Sequence, residues 1–172
     1  MAATLPSPSR IYLLRHAEAV WPQPGQGDFD RDLSEKGYGD AEIVADHAAD
    51  KGYRPDIILS STARRCRETA SAVHRAMGLS VELRYVDELY NTTPDVYLEI
   101  LKTQTATAVM LVGHNPTIEQ TLETLIGHDA LLRTLPNGFP AGGLAVLDYD
   151  GSAAAWKLRE FLAADANPFS GR

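Results

Sequence analysis

Apolar and polar positions along the 172-residue chain alternate between short apolar runs and longer stretches with helical spacing. Ile11-Tyr12-Leu13-Leu14 is an unbroken apolar run, as expected of a strand buried on both faces. Residues 21–32 are rich in Gly, Pro and Asp and predict a loop. Ser34 then stands as an N-cap before a stretch reaching about Asp50, in which Ala41, Val44, Ala45 and Ala48 share one helical face, and Gly52 closes it. Residues 56–60 give a second buried strand. Ser61 or Thr62 caps a second helix running to about Met77, where Gly78 stops it. Residues 81–86 alternate as a strand. Thr93-Pro94, a cap with Pro at the first helical position, opens a helix to about Lys102. Residues 108–112 form an apolar strand ending at Gly113-His114, and Asn115-Pro116 repeats the cap-plus-Pro start for a helix to about Ile126. Residues 144–149 and 154–158 read as two strands joined by a hairpin turn at Asp150-Gly151. The order β-α-β-α-β-α-β-α-β-β predicts an α/β fold of three layers, α/β/α, with a mostly parallel central sheet and helices on both faces.

Length and composition fit one soluble domain. The start of the chain, rich in Pro, Ser and Ala, lacks the apolar core of a signal peptide. It reads as a flexible tail over residues 1–9, followed by one domain over 10–172. No segment has the apolar length needed to span a membrane, and a cytoplasmic location is expected. The net charge of −7 argues against a nucleic-acid partner, although local arginines can reverse the potential inside a cleft. Cys66 is the single cysteine, so no internal disulfide can form and a Cys-based zinc site is not expected. The histidines are not at ligand spacing on one helix, and neither a metal nor a cofactor is expected.

Chemistry concentrates at predicted strand ends. The first strand runs straight into Arg15-His16, an unusual thing to build for packing alone. The second leads into Ser61-Thr62-Ala63-Arg64-Arg65-Cys66-Arg67-Glu68-Thr69-Ala70, and the fourth into Val112-Gly113-His114-Asn115-Pro116. Parallel strands would bring all three to one sheet edge, where open α/β sheets bind ligands. Guanidinium groups and helix N-termini suit anionic oxygens, and a histidine nitrogen can attack phosphorus. The arrangement points to a phosphoryl site.

In order and in position, Leu14-Arg15-His16-Ala17, the Ser60–Ala70 segment and Val112-Gly113-His114-Asn115 resemble the three signatures of the histidine phosphatase superfamily, the phosphoglycerate-mutase-like group. The resemblance runs from about Arg10 to the last strand and implies the phosphoglycerate-mutase-like fold. It also implies roles. His16 matches the nucleophile that forms a phosphohistidine intermediate, and Arg15 the adjacent phosphate-binding arginine. Counting back from Thr69 in the Arg-x-x-x-Thr pattern makes Arg65 the second such arginine. His114 matches the second histidine, which contacts the phosphoryl group, and Glu88 lies near where many members keep a carboxylate general acid. Ala17 stands where the wider family has Gly, and Pro22 where mutase-like members carry Asn. The short 21–31 loop, Arg31-Asp32-Leu33-Ser34-Glu35-Lys36-Gly37 and Glu88-Leu89-Tyr90 look like the small SixA-type phosphohistidine phosphatases.

The implied activity is a metal-independent phosphatase acting through a phosphohistidine on His16, with protein phosphohistidine as the favoured substrate. A small phosphomonoester is the alternative substrate, and a low-turnover phosphate-recognition module the alternative class. An ester leaves poorly and benefits from an acid such as Glu88, whereas a phosphohistidine bond is labile. Other residues carry plainer readings. Arg64 and Arg67 suit a solvated face or ion pairs, Asn115 a helix cap, Glu18 a rim charge, Cys66 a packed interior, and His47, His74 and His128 surface or structural positions. Glu88 can equally be a surface carboxylate, and Trp21 and Phe29 form either an apolar lip or a loop anchor.

Overall fold

The computed structural model describes residues 7–164. The first six residues of the expected tail lie outside this range, as does the chain after residue 164. Ser9 is already tied down: its N–H donates to the Thr107 carbonyl (2.8 Å), and its carbonyl accepts from Tyr149.

Six strands form one sheet: β1 (Arg10–Arg15), β2 (Ile57–Ser61), β3 (Glu82–Val86), β4 (Ala108–Gly113), β5 (Leu144–Asp150) and β6 (Ala155–Leu162). Their order is β3-β2-β4-β1-β5-β6. β1 to β4 are mutually parallel, while β5 runs antiparallel to β1 and β6 antiparallel to β5. Five helices accompany them: α1 (Glu35–Asp50), α2 (Arg64–Met77), α3 (Pro94–Lys102), α4 (Thr117–Ile126) and α5 (His128–Thr134).

Side-chain alternation along β1 explains its continuous apolarity. Tyr12 and Leu14 face one layer, with Val44, Ala45 and Ala48 of α1 and Cys66, Ala70, Val73 and Met77 of α2. Ile11 and Leu13 face the other, with Tyr97 and Leu101 of α3, Ile118 and Leu122 of α4 and Leu131 of α5. The predicted three-layer α/β/α arrangement is therefore the observed one, with the parallel strands in the middle and a hairpin extending one side.

Local signals account for most boundaries. Ser34 caps α1 by accepting from Gly37 N–H (3.0 Å), and Gly78 ends α2 at φ 105°, a conformation open to glycine. A side chain at Gly37 would run into the Glu18 carbonyl, so this glycine lets α1 press on the loop after β1. Three expectations need correcting. Neither Ser61 nor Thr62 is the cap of α2: Ala63 is, and Ser61 Oγ instead accepts from Ala63 N–H (3.2 Å). α4 starts at Thr117 with Pro116 as its cap residue, one position later than the Pro-at-N1 reading, and Asn115 Oδ1 accepts from Glu119 N–H (3.2 Å). The hairpin turn spans residues 151–154 rather than two residues, with Ala154 at φ 50°. α5 was not anticipated.

Candidate active site

β1, β2 and β4 end side by side, and the chain leaving each carries the polar groups. Arg15 closes β1 against Gly113 of β4, and His16 N–H donates to the Gly113 carbonyl (3.0 Å). Ser61 closes β2, and Arg65 lies in the first turn of α2. Thr69 binds these pieces together: its hydroxyl donates to the Arg65 carbonyl (2.8 Å) and accepts from Ala17 N–H (3.1 Å). Arg15, His16, Arg65 and His114 thus converge on one cleft of about 480 Å³, whose lining also includes Asp28, Arg31, Tyr90 and Asn115.

Hydrogen bonding fixes both imidazole tautomers. His16 Nδ1 faces the Ala17 carbonyl (2.8 Å), which only accepts, so Nδ1 carries the proton and Nε2 keeps its lone pair. Arg65 Nε–H donates toward that Nε2 (3.4 Å). His114 Nδ1 faces Arg65 Nη2 (3.3 Å), and a guanidinium only donates, so here Nδ1 is the lone pair and Nε2–H donates to Ser61 Oγ (2.8 Å). The two rings meet edge to face with centroids 5.4 Å apart. Both imidazoles are held neutral. Burial, reinforced by nearby cationic groups, drops His16 to about 3, and burial together with the Arg65 and Arg15 charges drops His114 to about 4.

The arginines are anchored differently. Arg15 Nη1 donates to the Phe139 carbonyl (2.6 Å), whose own N–H is held by Glu119 Oε1 (2.7 Å). Arg15 Nε is buried and finds no acceptor among the described residues. An orphaned buried donor is costly, and a group that brings an oxygen to it relieves that cost. Arg65, almost wholly buried, donates from Nη1 to the Asp28 carbonyl (2.8 Å) and from Nη2 to Asp28 Oδ2 (3.0 Å). Tyr90 Oη also donates to Oδ2 (2.8 Å), and Arg31 Nη1 pairs with Oδ1 (3.1 Å). Hydrogen bonds from Tyr90, Arg31 and Arg65 outweigh partial burial and hold the Asp28 carboxyl down to about 2. Three arginines against one carboxylate make the cleft a cationic spot on an acidic chain.

The other singled-out residues fall as follows. Arg64 pairs with Glu68 (3.5 Å) on the exposed side of α2, and Arg67 Nε donates to the Thr62 carbonyl (2.9 Å). Glu88 lies in a short 3-10 turn, Asp87–Leu89, exposed and absent from the cleft lining. Glu18 is exposed, and its carboxylate accepts from Ser34 Oγ (2.9 Å). Cys66 is buried with Sγ 3.4 Å from His114 Nε2, and burial pushes its thiol up to about 12. His47 is exposed, His74 bonds the Val81 carbonyl, and His128 pairs with Glu123. Phe29 packs on Tyr90 and Tyr90 on His114, edge to face (5.2 and 5.4 Å), whereas Trp21 sits exposed over Arg31. Sequence reasoning missed Asp28 and Tyr90. Both lie in segments without periodicity; Tyr90 stood out only within the SixA-like Glu88-Leu89-Tyr90 run, and the contacts that gather both residues around Arg65 reveal their part.

Gly113 permits the close approach of α3. A Cβ there would lie 2.4 Å from Tyr97 Oη, which accepts from His114 N–H (3.1 Å) and donates to the Leu89 carbonyl (2.8 Å). Tyr97 is fully buried and has no room to retreat. Gly113→Ala is expected to destabilise the fold by about 1–3 kcal/mol through overpacking, read as a lower midpoint in urea with an unchanged slope. A midpoint equal to that of the unsubstituted protein would show that the contact is slack.

Arg65 donors face the lone pairs of His16 and His114 in the cleft that Arg15 also lines, and no side-chain cluster that could hold a metal occurs among the described residues. Comparisons with known proteins identify the family. Residues 11–92 match the family model of the histidine phosphatase superfamily (branch 1). A SixA protein of Agrobacterium tumefaciens, assigned as a phosphohistidine phosphatase, is 55% identical with a TM-score of 0.85, over 91% of this chain and 98% of that one. An uncharacterized Mycobacterium leprae protein is 30% identical over 91% of this chain and 98% of its own length. The protein histidine phosphatase SixA solved with tungstate shares the fold, at 19% identity and a TM-score of 0.71 over 90% and 97% of the two chains. The chain belongs to the histidine phosphatase superfamily, and it is a phosphatase of the SixA type. No helix among the described residues is long and apolar enough to cross a membrane.

Proposed function

We propose that the protein removes phosphoryl groups from protein phosphohistidine, by way of a phosphohistidine on His16 and without a metal ion. His16 Nε2 attacks phosphorus in line. The new N–P bond forms as the bond to the substrate imidazole breaks, and that imidazole leaves with the electron pair and takes a proton from solvent. Water then attacks the phosphoenzyme and releases inorganic phosphate. Arg15 and Arg65 hold the non-bridging oxygens while charge redistributes, with His114 alongside them.

One observation favours phosphohistidine over an alkyl ester. Asp28 is the one carboxylate in the cleft lining among the described residues, and three donors keep it ionised to about pH 2. Glu88 stands outside the lining. A cleft without a protonated carboxylic acid suits a leaving group that departs with little help, which imidazole does and an alkoxide does not. The relative of Agrobacterium tumefaciens, assigned as a phosphohistidine phosphatase, supports the same substrate.

The test compares kcat/KM on a phosphohistidine-bearing protein with a panel of small phosphomonoesters. A strong preference for the protein is expected. A preference for one ester would overturn the substrate assignment and bring Glu88 back as general acid through loop movement.

The neutral histidines also predict the pH profile. kcat/KM reports groups of the free enzyme, and His16 and His114 titrate near 3 and 4. Corrected for substrate ionisation, kcat/KM is therefore expected to stay level from about pH 7 down to about pH 5. An acid limb near the ordinary histidine value of about 6.5 would refute neutral burial. Stability follows the same sign: the unfolded chain takes up protons on these imidazoles first. The stabilisation present above about pH 6.5 is lost as pH falls toward the folded values.

A further inference from the structure

We propose, on the reading that this cleft transfers a phosphoryl group, that Asp28 is a positioning residue that decides which edge of the Arg65 guanidinium meets the substrate. The guanidinium offers two forks of donors. The outer fork is taken twice by one residue, Nη1 by the Asp28 carbonyl (2.8 Å) and Nη2 by Asp28 Oδ2 (3.0 Å). The inner fork, Nε and the second Nη2 hydrogen, points at the lone pairs of His16 Nε2 (3.4 Å) and His114 Nδ1 (3.3 Å). The outer contacts are short, one of them to a carboxylate, and the inner ones are long and meet neutral nitrogens. A phosphoryl oxygen arriving between the two rings exchanges the weak inner contacts for bonds to an anionic oxygen and leaves the outer pair in place.

The clamp is itself braced. Tyr90 Oη donates to Asp28 Oδ2 and Arg31 Nη1 pairs with Oδ1, so each carboxylate oxygen is engaged. Arg31 Nε in turn donates to the Val20 carbonyl (2.8 Å), linking the clamp to the segment that follows His16. Asp28 leaves half of its side-chain surface in solvent, so its contribution through packing is small. What it supplies is direction: a buried arginine with several rotatable bonds is held with one edge facing phosphorus. Misplacement of a reacting group by about 1 Å costs on the order of 100-fold in rate, which makes such holding consequential.

The experiment measures turnover of a phosphohistidine-bearing protein by the unsubstituted chain, Asp28→Ala, Asp28→Asn, Arg65→Ala and the Arg65→Ala/Asp28→Ala pair, with thermal unfolding beside each. Asp28→Ala and Asp28→Asn remove the same charge, but only Asn keeps an oxygen for Arg65 Nη2. Asp28→Ala is expected to lower kcat by about 10–100-fold with an unfolding temperature near that of the unsubstituted protein. Asp28→Asn recovers most of the loss. Because Asp28 acts through Arg65, adding Asp28→Ala to Arg65→Ala costs nothing further. An Asp28→Ala variant at full rate, an Asn variant as slow as Ala, or an undiminished extra loss in the Arg65→Ala background would each overturn the proposal. A chain that turns over no phosphohistidine protein would refute the functional reading instead. The clamp is then read from affinity for inorganic phosphate, weaker in Asp28→Ala than in the equally uncharged Asp28→Asn if the proposal holds and equal in the two if it fails.

Discussion

His16→Ala is expected to lower turnover by about 10⁴-fold or more and to abolish the phosphoenzyme. The neighbouring side chains are poor replacements for the lost nucleophile. His114 is held in a different orientation: its Nε2–H donates to Ser61, and its Nδ1 faces Arg65 Nη2. The Cys66 thiol is buried beneath it and pushed up to about 12, so the thiolate that would attack is scarce at neutral pH. The Nδ1 bond to Ala17 aims the His16 ring in advance, so the reacting nitrogen needs no reorientation. Rapid mixing with radiolabelled substrate, quenched in alkaline denaturant to preserve a phosphoramidate, should trap label on the unsubstituted chain and none on His16→Ala. Label of equal intensity on the variant would place the nucleophile elsewhere.

Arg15→Lys carries the next largest expected effect, a loss of about 10²–10³-fold in kcat/KM. Lysine keeps the charge and can still reach toward the Phe139 carbonyl. It lacks the buried Nε–H that has no acceptor among the described residues, the donor best explained by an oxygen the substrate brings. The position terminates β1 between two buried strands, and the backbone there does not depend on the side-chain head group. Unfolding by heat should therefore change little while steady-state kinetics collapse. A Lys variant with unaltered kcat/KM would make the orphaned nitrogen a structural accident.

Much of this was legible from residue order because parallel strands impose it. Once 11–14, 56–60 and 108–112 read as strands in an α/β alternation, Arg15, His16 and His114 had to meet at one edge, and they do. Choosing Arg65 among three neighbouring arginines rested on the Arg-x-x-x-Thr pattern of the resembled family, and in the structure the Thr69 hydroxyl bonds the Arg65 carbonyl one helical turn back. Asp28 was not legible. It sits in a loop whose Gly, Pro and Asp composition signals irregularity and nothing about direction, and its meaning arises from contacts with Arg65 and Tyr90, 37 and 62 positions away. Glu88 drew notice because it lies near where many members of the resembled family keep a carboxylate general acid, but the 3-10 turn there buries Leu89 and leaves Glu88 exposed, outside the cleft lining. α5 went unseen because Gly127 both ends α4 and precedes seven residues with no side-chain cap.

The groups proposed to touch phosphorus hang from strand ends and the first turn of α2, whereas Asn91, Thr92, Thr93 and Pro94 line the cleft from a segment that carries none of them. Admission and reaction are thereby assigned to different parts of the chain. Lengthening the 91–94 segment would change which molecules reach the phosphorus while leaving the power to cleave intact, so a descendant of this scaffold can become choosier before it becomes slower.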